Sequence, residues 1–136
     1  MNEINLQSGY AAVIGDVVGS RAAADRPALQ ASLALALDET NARLEALQPL
    51  QVTIGDEFQG LYAALDRALL ATLVVRLRLF DRADVRFGVG WGLLTTFEPA
   101  TVPLGQDGPA WWAARDAVGR SAEVARGRGA PRGIRT

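Results

Sequence analysis

Val52-Thr53-Ile54-Gly55-Asp56-Glu57-Phe58 is a β-branched run closed by a glycine and followed at once by two acids. Short apolar runs of this kind, bounded by glycine, read as buried strands. Earlier in the chain, Tyr10-Ala11-Ala12-Val13-Ile14-Gly15-Asp16 repeats the pattern. Asp16 and Asp56 then stand at strand ends, where a side chain leaves the sheet and can meet a ligand. Two carboxylates from adjacent strands form an oxygen site of the kind Mg²⁺ uses, with phosphate oxygens completing the shell. Each aspartate also has a plainer reading: Asp16 caps a turn beside Gly19 and Ser20, and Asp56 is a hairpin residue.

Outward from these strands, helices and strands alternate. A loop from Val17 to Arg26 leads into a helix with Pro27 in its first turn. Its apolar residues Leu29, Leu33, Ala36, Leu37, Leu44 and Leu47 recur at helical spacing, and Pro49 ends it. A strand from about Gln51 to Gly55 turns at Gly55-Asp56 and returns through Phe58 to Leu61. Leu61 to Phe80 reads as a second helix, apolar on two faces: Leu65, Leu69, Leu73 and Leu77, and also Leu70 and Val74. Such a helix is expected between layers or at a subunit contact.

Val85 to Leu93 alternates Val85, Phe87, Val89 and Trp91 on one face with Arg86, Gly88, Gly90 and Gly92 on the other. The glycine stripe either admits a ligand or another backbone, or marks a kinked or bulged strand. Leu94 to Phe97 extends or pairs with this strand, and Pro99 to Gly108 is loop. A last helix runs from Pro109 to about Val124. The order predicts an α+β domain with a ferredoxin-like, palm-type antiparallel sheet and helices packed on one face. One domain is expected over residues 1–125, with an Arg/Gly-rich tail over 126–136.

Composition removes most catalytic classes. The 136 residues contain no cysteine and no histidine, and all 14 basic residues are arginine. Disulfides, thiolate and zinc-thiolate chemistry, Ser-His-Asp triads, Schiff bases and the Walker lysine are therefore excluded. Carboxylates, arginines, hydroxyls, backbone amides and a bound metal remain. No run approaches the roughly 20 apolar residues of a membrane span, and no signal peptide is visible, so a cytoplasmic protein is expected. Arg115 to Thr136 carries six arginines against two acids. Gly127, Gly129, Pro131 and Gly133 interrupt that end, which reads as a solvated, disordered tail; contact with nucleic acid is the alternative.

Four segments resemble class III nucleotidyl cyclases. Ala12-Val13-Ile14-Gly15-Asp16-Val17-Val18-Gly19-Ser20 is similar to their first metal-binding segment, and Val52 to Asp56 to their second. Val85-Arg86-Phe87-Gly88-Val89-Gly90-Trp91-Gly92 resembles a following strand, and Ala113-Ala114-Arg115 a motif of the last helix. Gly55-Asp56-Glu57-Phe58 also resembles the GGDEF diguanylate cyclases. Gly15 to Arg21, Gly55 to Leu61 and Asp107-Gly108-Pro109-Ala110 look like hallmarks of the SatD family, a bacterial group. Members of that group continue beyond the last helix, which implies a shortened form here.

The resemblance implies Asp16, Asp56 and the Val17 carbonyl as ligands of Mg²⁺ or Mn²⁺. It implies a phosphate-binding loop of Val17, Val18, Gly19, Ser20 and Arg21, with Gly55 at the hairpin. Arg115 matches the arginine that steadies charge at the phosphates. The implied partners are a nucleoside triphosphate and a second copy of the chain. Where the cyclases place a base-reading lysine, its acidic partner and an asparagine, this chain has Val52, Leu104 and Trp111. Ordinary cyclase activity is therefore not expected, and a non-catalytic regulatory or adaptor module is the alternative. Glu57 is either an exposed acid or a support for the site. Trp111 and Trp112 are adjacent, so only one can face the core, leaving the other to stack on a base or pack at a subunit contact.

Overall fold

The computed structural model describes residues 9–19, 24–96 and 106–129. Four strands form its main sheet: β1 (Tyr10–Val17), β2 (Gln48–Ile54), β3 (Glu57–Tyr62) and β4 (Val85–Gly92). Their spatial order is β2-β3-β1-β4, and every neighbouring pair is antiparallel. Helices α1 (Arg26–Arg43) and α2 (Leu65–Arg78) supply the crossovers. Strands β5 (Thr95–Thr96) and β6 (Gln106–Asp107) form a separate two-residue ribbon before α3 (Pro109–Gly129). This βαββαβ order is the ferredoxin-like, palm-type α+β arrangement that the sequence predicts.

Alternation along β1 divides the core. Ala11, Val13 and Val17 face α1 and α2, where they pack with Leu33, Leu37, Phe58, Tyr62, Val75 and Leu79. Ala12 and Ile14 face α3, together with Leu61, Ala110, Trp111, Ala114 and Val118. The helices of the βαββαβ unit thus share one face as expected, while α3 covers the other. The added layer explains why β1 is buried on both sides.

Glycines set how closely α3 sits. A Cβ at Gly88 would lie 2.1 Å from the Ala114 carbonyl oxygen, and one at Gly90 2.3 Å from that of Ala110. The glycine stripe of β4 therefore admits another backbone, not a ligand.

Three element boundaries differ from the sequence reading. Asp25 caps α1, accepting from the Ala28 N–H at 3.1 Å, and the helix ends at Arg43. Pro49 stands inside β2, an edge strand, the sheet position that tolerates proline. The register shifts between Gln48 and Gln51. There the Asn41 side chain serves Leu50 as a strand neighbour would, donating to its carbonyl and accepting its N–H, both at 2.9 Å. Leu61 and Tyr62 belong to β3, and α2 begins only at Leu65.

The leucines of α2 point outward. Its sheet-facing side is Ala68, Ala71 and Val75, small residues that let the helix lie close. Thr95 and Thr96 do not extend β4 but pair with β6, and Phe97 lies outside the described residues. The backbone of α3 remains helical through Gly127 to Gly129. Of the expected tail, 130–136 lie outside the described residues. Among the described residues, no helix is long and apolar enough to cross a membrane.

Candidate functional site

Asp16, the next-to-last residue of β1, lies directly opposite Glu57 of β3 on one side and Arg86 of β4 on the other. Directly opposed residues of antiparallel strands project to the same face. All three therefore stand on the α3 side, beyond Ile14 at the end of the sheet. Burial pushes the Asp16 carboxyl above its ordinary range, and Glu57 and Asp56 push it the same way against the pull of Arg86 and Arg115. Gly15 has its own reason to be glycine. A Cβ there would strike the Phe58 ring at 2.2 Å, and that ring meets Phe87 edge to face in the core.

The β2–β3 hairpin delivers the second aspartate. Gly55 has φ +58° while Asp56 keeps negative φ, the glycine-first pattern of a tight two-residue turn. The Asp56 side chain is only 8% exposed although it sits in a turn, with residues of the start of α1 against it. Gln30 Nε2 lies 3.4 Å from its Oδ1, and an Arg26 guanidinium nitrogen 3.7 Å from its Oδ2.

Glu57 belongs to α3. Arg115 donates to both of its carboxylate oxygens at 2.8 Å, a two-pronged pair, and Gln59 adds a third donor at 2.9 Å. The Arg115 fork holds the Glu57 carboxyl below its ordinary range, although burial opposes it. Arg115 accordingly supports an acid of the site.

One open cleft of about 610 Å³ gathers these groups. Asp16, Asp56 and Glu57 line it with Arg26 and Arg86, and Val17, Gly19, Ile54 and Gly55 complete the wall. The Val18 N–H is taken by the Asp84 carbonyl at 2.9 Å, which ties the end of β1 to the loop entering β4. Gly19, at φ +71°, has open space around its Cβ position. Ser20 and Arg21 lie outside the described residues, as does Leu104. The sequence-predicted Asp16, Val17, Gly19, Asp56 and Gly55 thus meet, while Val18 and Arg115 do not line the cleft. Arg26, Gln30 and Arg86 were missed as site residues. Strand alternation places Arg86 beside its glycines, and the register opposite Asp16 would have found it.

Asp16 and Asp56 bring carboxylate oxygens to the cleft, the ligand type that a small hard cation takes. Among the described residues no group of three or more acids, histidines or cysteines closes on one point. Mg²⁺ does not require one, because one or two carboxylates with phosphate oxygens and water satisfy its shell. The acids crowding Asp16 are also the setting that a cation relieves.

Of the positions that depart from the cyclase pattern, Trp111 is taken up by packing. Trp111 is buried against the sheet with its indole N–H on Gln106 Oε1 at 3.1 Å. Trp112 is exposed, with its indole N–H directed at the Asp107 carboxylate. Val52 lies half-exposed on β2.

A bacterial light-regulated adenylyl cyclase shares the fold with a TM-score of 0.66 at 11% identity, over 87% of this chain and 72% of that one. The guanylate cyclase domain of RhGC from Catenaria anguillulae, solved in complex with GTP, gives 0.61 at 17% identity, over 82% and 72%. The diguanylate cyclase SiaD from Pseudomonas aeruginosa gives 0.60 at 18%, over 88% of this chain and 49% of that one. At such identities the likeness is one of fold. A search of curated proteins returns no match. The SatD family model matches residues 10–123, which run from the first residue of β1 well into α3 and include both aspartates and the hairpin. The chain belongs to the SatD family.

Proposed function

We propose that the cleft at the end of β1 binds a nucleoside triphosphate together with Mg²⁺ or Mn²⁺. The observation that carries this reading is the arrival of Asp16 and Asp56, 40 residues apart in sequence, in one cleft walled by glycine-bearing backbone. Asp16 and Asp56 would hold the ion with the Val17 carbonyl, and the ion would supply charge neutralisation at the phosphates. The backbone at Val18 and Gly19, continuing to Ser20 and Arg21 in sequence, would take the phosphates themselves. Arg86 is the guanidinium on hand at the mouth of the site, whereas Arg115 acts through Glu57.

A second reading has its own observation. Trp111 fills a core position and Val52 offers no polar group, so ribose and base lack the asparagine and lysine of the cyclase pattern. A regulatory module that senses the metal–triphosphate moiety, without cyclising it, fits those two positions. Under either reading, discrimination between ATP and GTP is weak.

Calorimetric titration with nucleoside triphosphates, with and without Mg²⁺ or Mn²⁺, tests the site. Binding should require the metal, and Asp16→Ala or Asp56→Ala should each abolish it, since phosphates beside the remaining acid meet uncompensated repulsion. Binding that persists in EDTA, or survives both substitutions, refutes the assignment.

A further inference from the structure

The adjacent acids Asp56 and Glu57 are held by arginines in different ways. Arg115 grips Glu57 with two bonds of 2.8 Å, the length of a charge-assisted pair. Arg26, the first residue of α1, stands 3.7 Å from Asp56 Oδ2, and Gln30, one turn further on, 3.4 Å from Oδ1. Both distances exceed those of a well-made charged hydrogen bond, so these contacts screen Asp56 without fixing it. Both carboxylate oxygens are engaged, and an ion that ligates Asp56 competes with the Arg26 guanidinium for it. Arg26 is free to give way, since its own side chain is 45% exposed.

Charge decides when it gives way. The acids Asp16, Asp56 and Glu57 are matched by Arg26 and Arg86 in the cleft wall and by Arg115 on Glu57, which leaves the metal-free cleft close to neutral. A divalent ion entering alone brings an excess of positive charge and strands Arg26 beside it. The same ion carrying a triphosphate brings an anion with which the displaced guanidinium pairs through its fork of donors.

We infer that Arg26 is the resident counter-cation of Asp56, yielding that carboxylate only when metal and phosphates arrive together and then turning to the phosphates. Arg26 thereby selects a metal–triphosphate complex over the bare ion. Selection of this kind rests on the metal–triphosphate reading of the cleft, yet the hold of Arg26 on Asp56 is measurable with the metal alone.

Arg26→Ala and Arg26→Lys separate charge from bulk. Binding of Mn²⁺ alone is followed by loss of the free ion's electron paramagnetic resonance signal, with Asp56→Asn giving the background from other acids. Binding of Mn²⁺ with ATP is followed by calorimetry. In Arg26→Ala, Mn²⁺ alone should bind about fivefold more tightly, the scale of one exposed ion pair. Mn²⁺ with ATP should bind about tenfold more weakly, the scale of one charged hydrogen bond. Arg26→Lys should stay near the parent towards Mn²⁺ alone. Damage to α1 would weaken both bindings, so the opposite signs separate exchange from misfolding. Mn²⁺ alone bound no more tightly in Arg26→Ala, or as tightly in Arg26→Lys as in Arg26→Ala, overturns the counter-cation role. Tighter Mn²⁺ with undiminished ATP binding overturns the turn to the phosphates. A parent that binds no ATP with Mn²⁺ refutes the nucleotide reading, while tighter Mn²⁺ in Arg26→Ala still upholds the hold on Asp56.

Discussion

Asp16 sits between an acid and a base across the sheet, half-buried, with Asp56 close enough to disfavour its charge. Its folded-state pKa is raised, so the ionised form costs stability above that pKa. As pH falls through the raised folded value, the native state takes up a proton before the unfolded chain does, and stability rises. Asp16→Asn should therefore raise the urea midpoint of the metal-free protein near neutral pH, with a gain that shrinks on acidification, while abolishing metal-dependent binding. A lowered midpoint at neutral pH would mean that Arg86 outweighs burial. Glu57 runs the other way. The Arg115 fork depresses its pKa below the ordinary 4.5, so its contribution is present above that value and is lost as pH falls through the folded pKa. Because Arg115 is more than half exposed, that contribution is at most about 1 kcal/mol. Tyr62 is simpler. Its hydroxyl is buried with no hydrogen-bond partner among the described residues, and burial pushes its pKa up to about 12. Tyr62→Phe removes an unsatisfied group at nearly constant shape, and chemical denaturation should show stability unchanged or raised by about 1 kcal/mol.

At the scale of elements, the pairing of β4 with α3 is governed by missing atoms. Gly90→Ala would drive a methyl to within 2.3 Å of the α3 backbone, which cannot give way as a side-chain tip can. A loss of about 1–3 kcal/mol is expected, with weakened near-ultraviolet signal from Trp111 as α3 lifts. Gly119, within α3 and with open space where its Cβ would go, is the counter-case. Gly119→Ala should stabilise by about 0.5–1 kcal/mol through helix propensity. Equal effects of the two substitutions in a denaturation series would contradict this packing. The same elements show what local sequence could convey. β1 and the Gly55-Asp56 turn were legible because apolar runs and a turn glycine encode them within a few residues. The extent of β3 was not, because Glu57 and Gln59 look like surface residues until Arg115, 58 positions away from Glu57, comes down to meet them. The outward leucines of α2 were ambiguous for a related reason. Periodicity reports that a helix has two apolar sides, but only the small residues Ala68 and Ala71 reveal which one the sheet accepts.

For the whole molecule, the candidate site was half legible. Its aspartates announce themselves by pattern, whereas Arg26 and Gln30 enter only through the way α1 returns over the hairpin. The third layer was also out of local reach, since nothing in the helical spacing of α3 says on which side of a sheet it will lie. The two faces of the sheet are covered by helices, which leaves its borders as the places where another strand could join. At the β2 border, Pro49 withholds an N–H and the Asn41 amide occupies both backbone groups of Leu50. A growing fibre needs an unbroken row of free donors and acceptors, and this border presents an interrupted one. Pro49→Val combined with Asn41→Ala would restore that row beside the exposed Val52 and Ile54. The double variant should nucleate thioflavin-positive aggregates at concentrations where the parent stays clear. One proline and one amide would thus act as a solubility device, closing the sheet to recruits on that side.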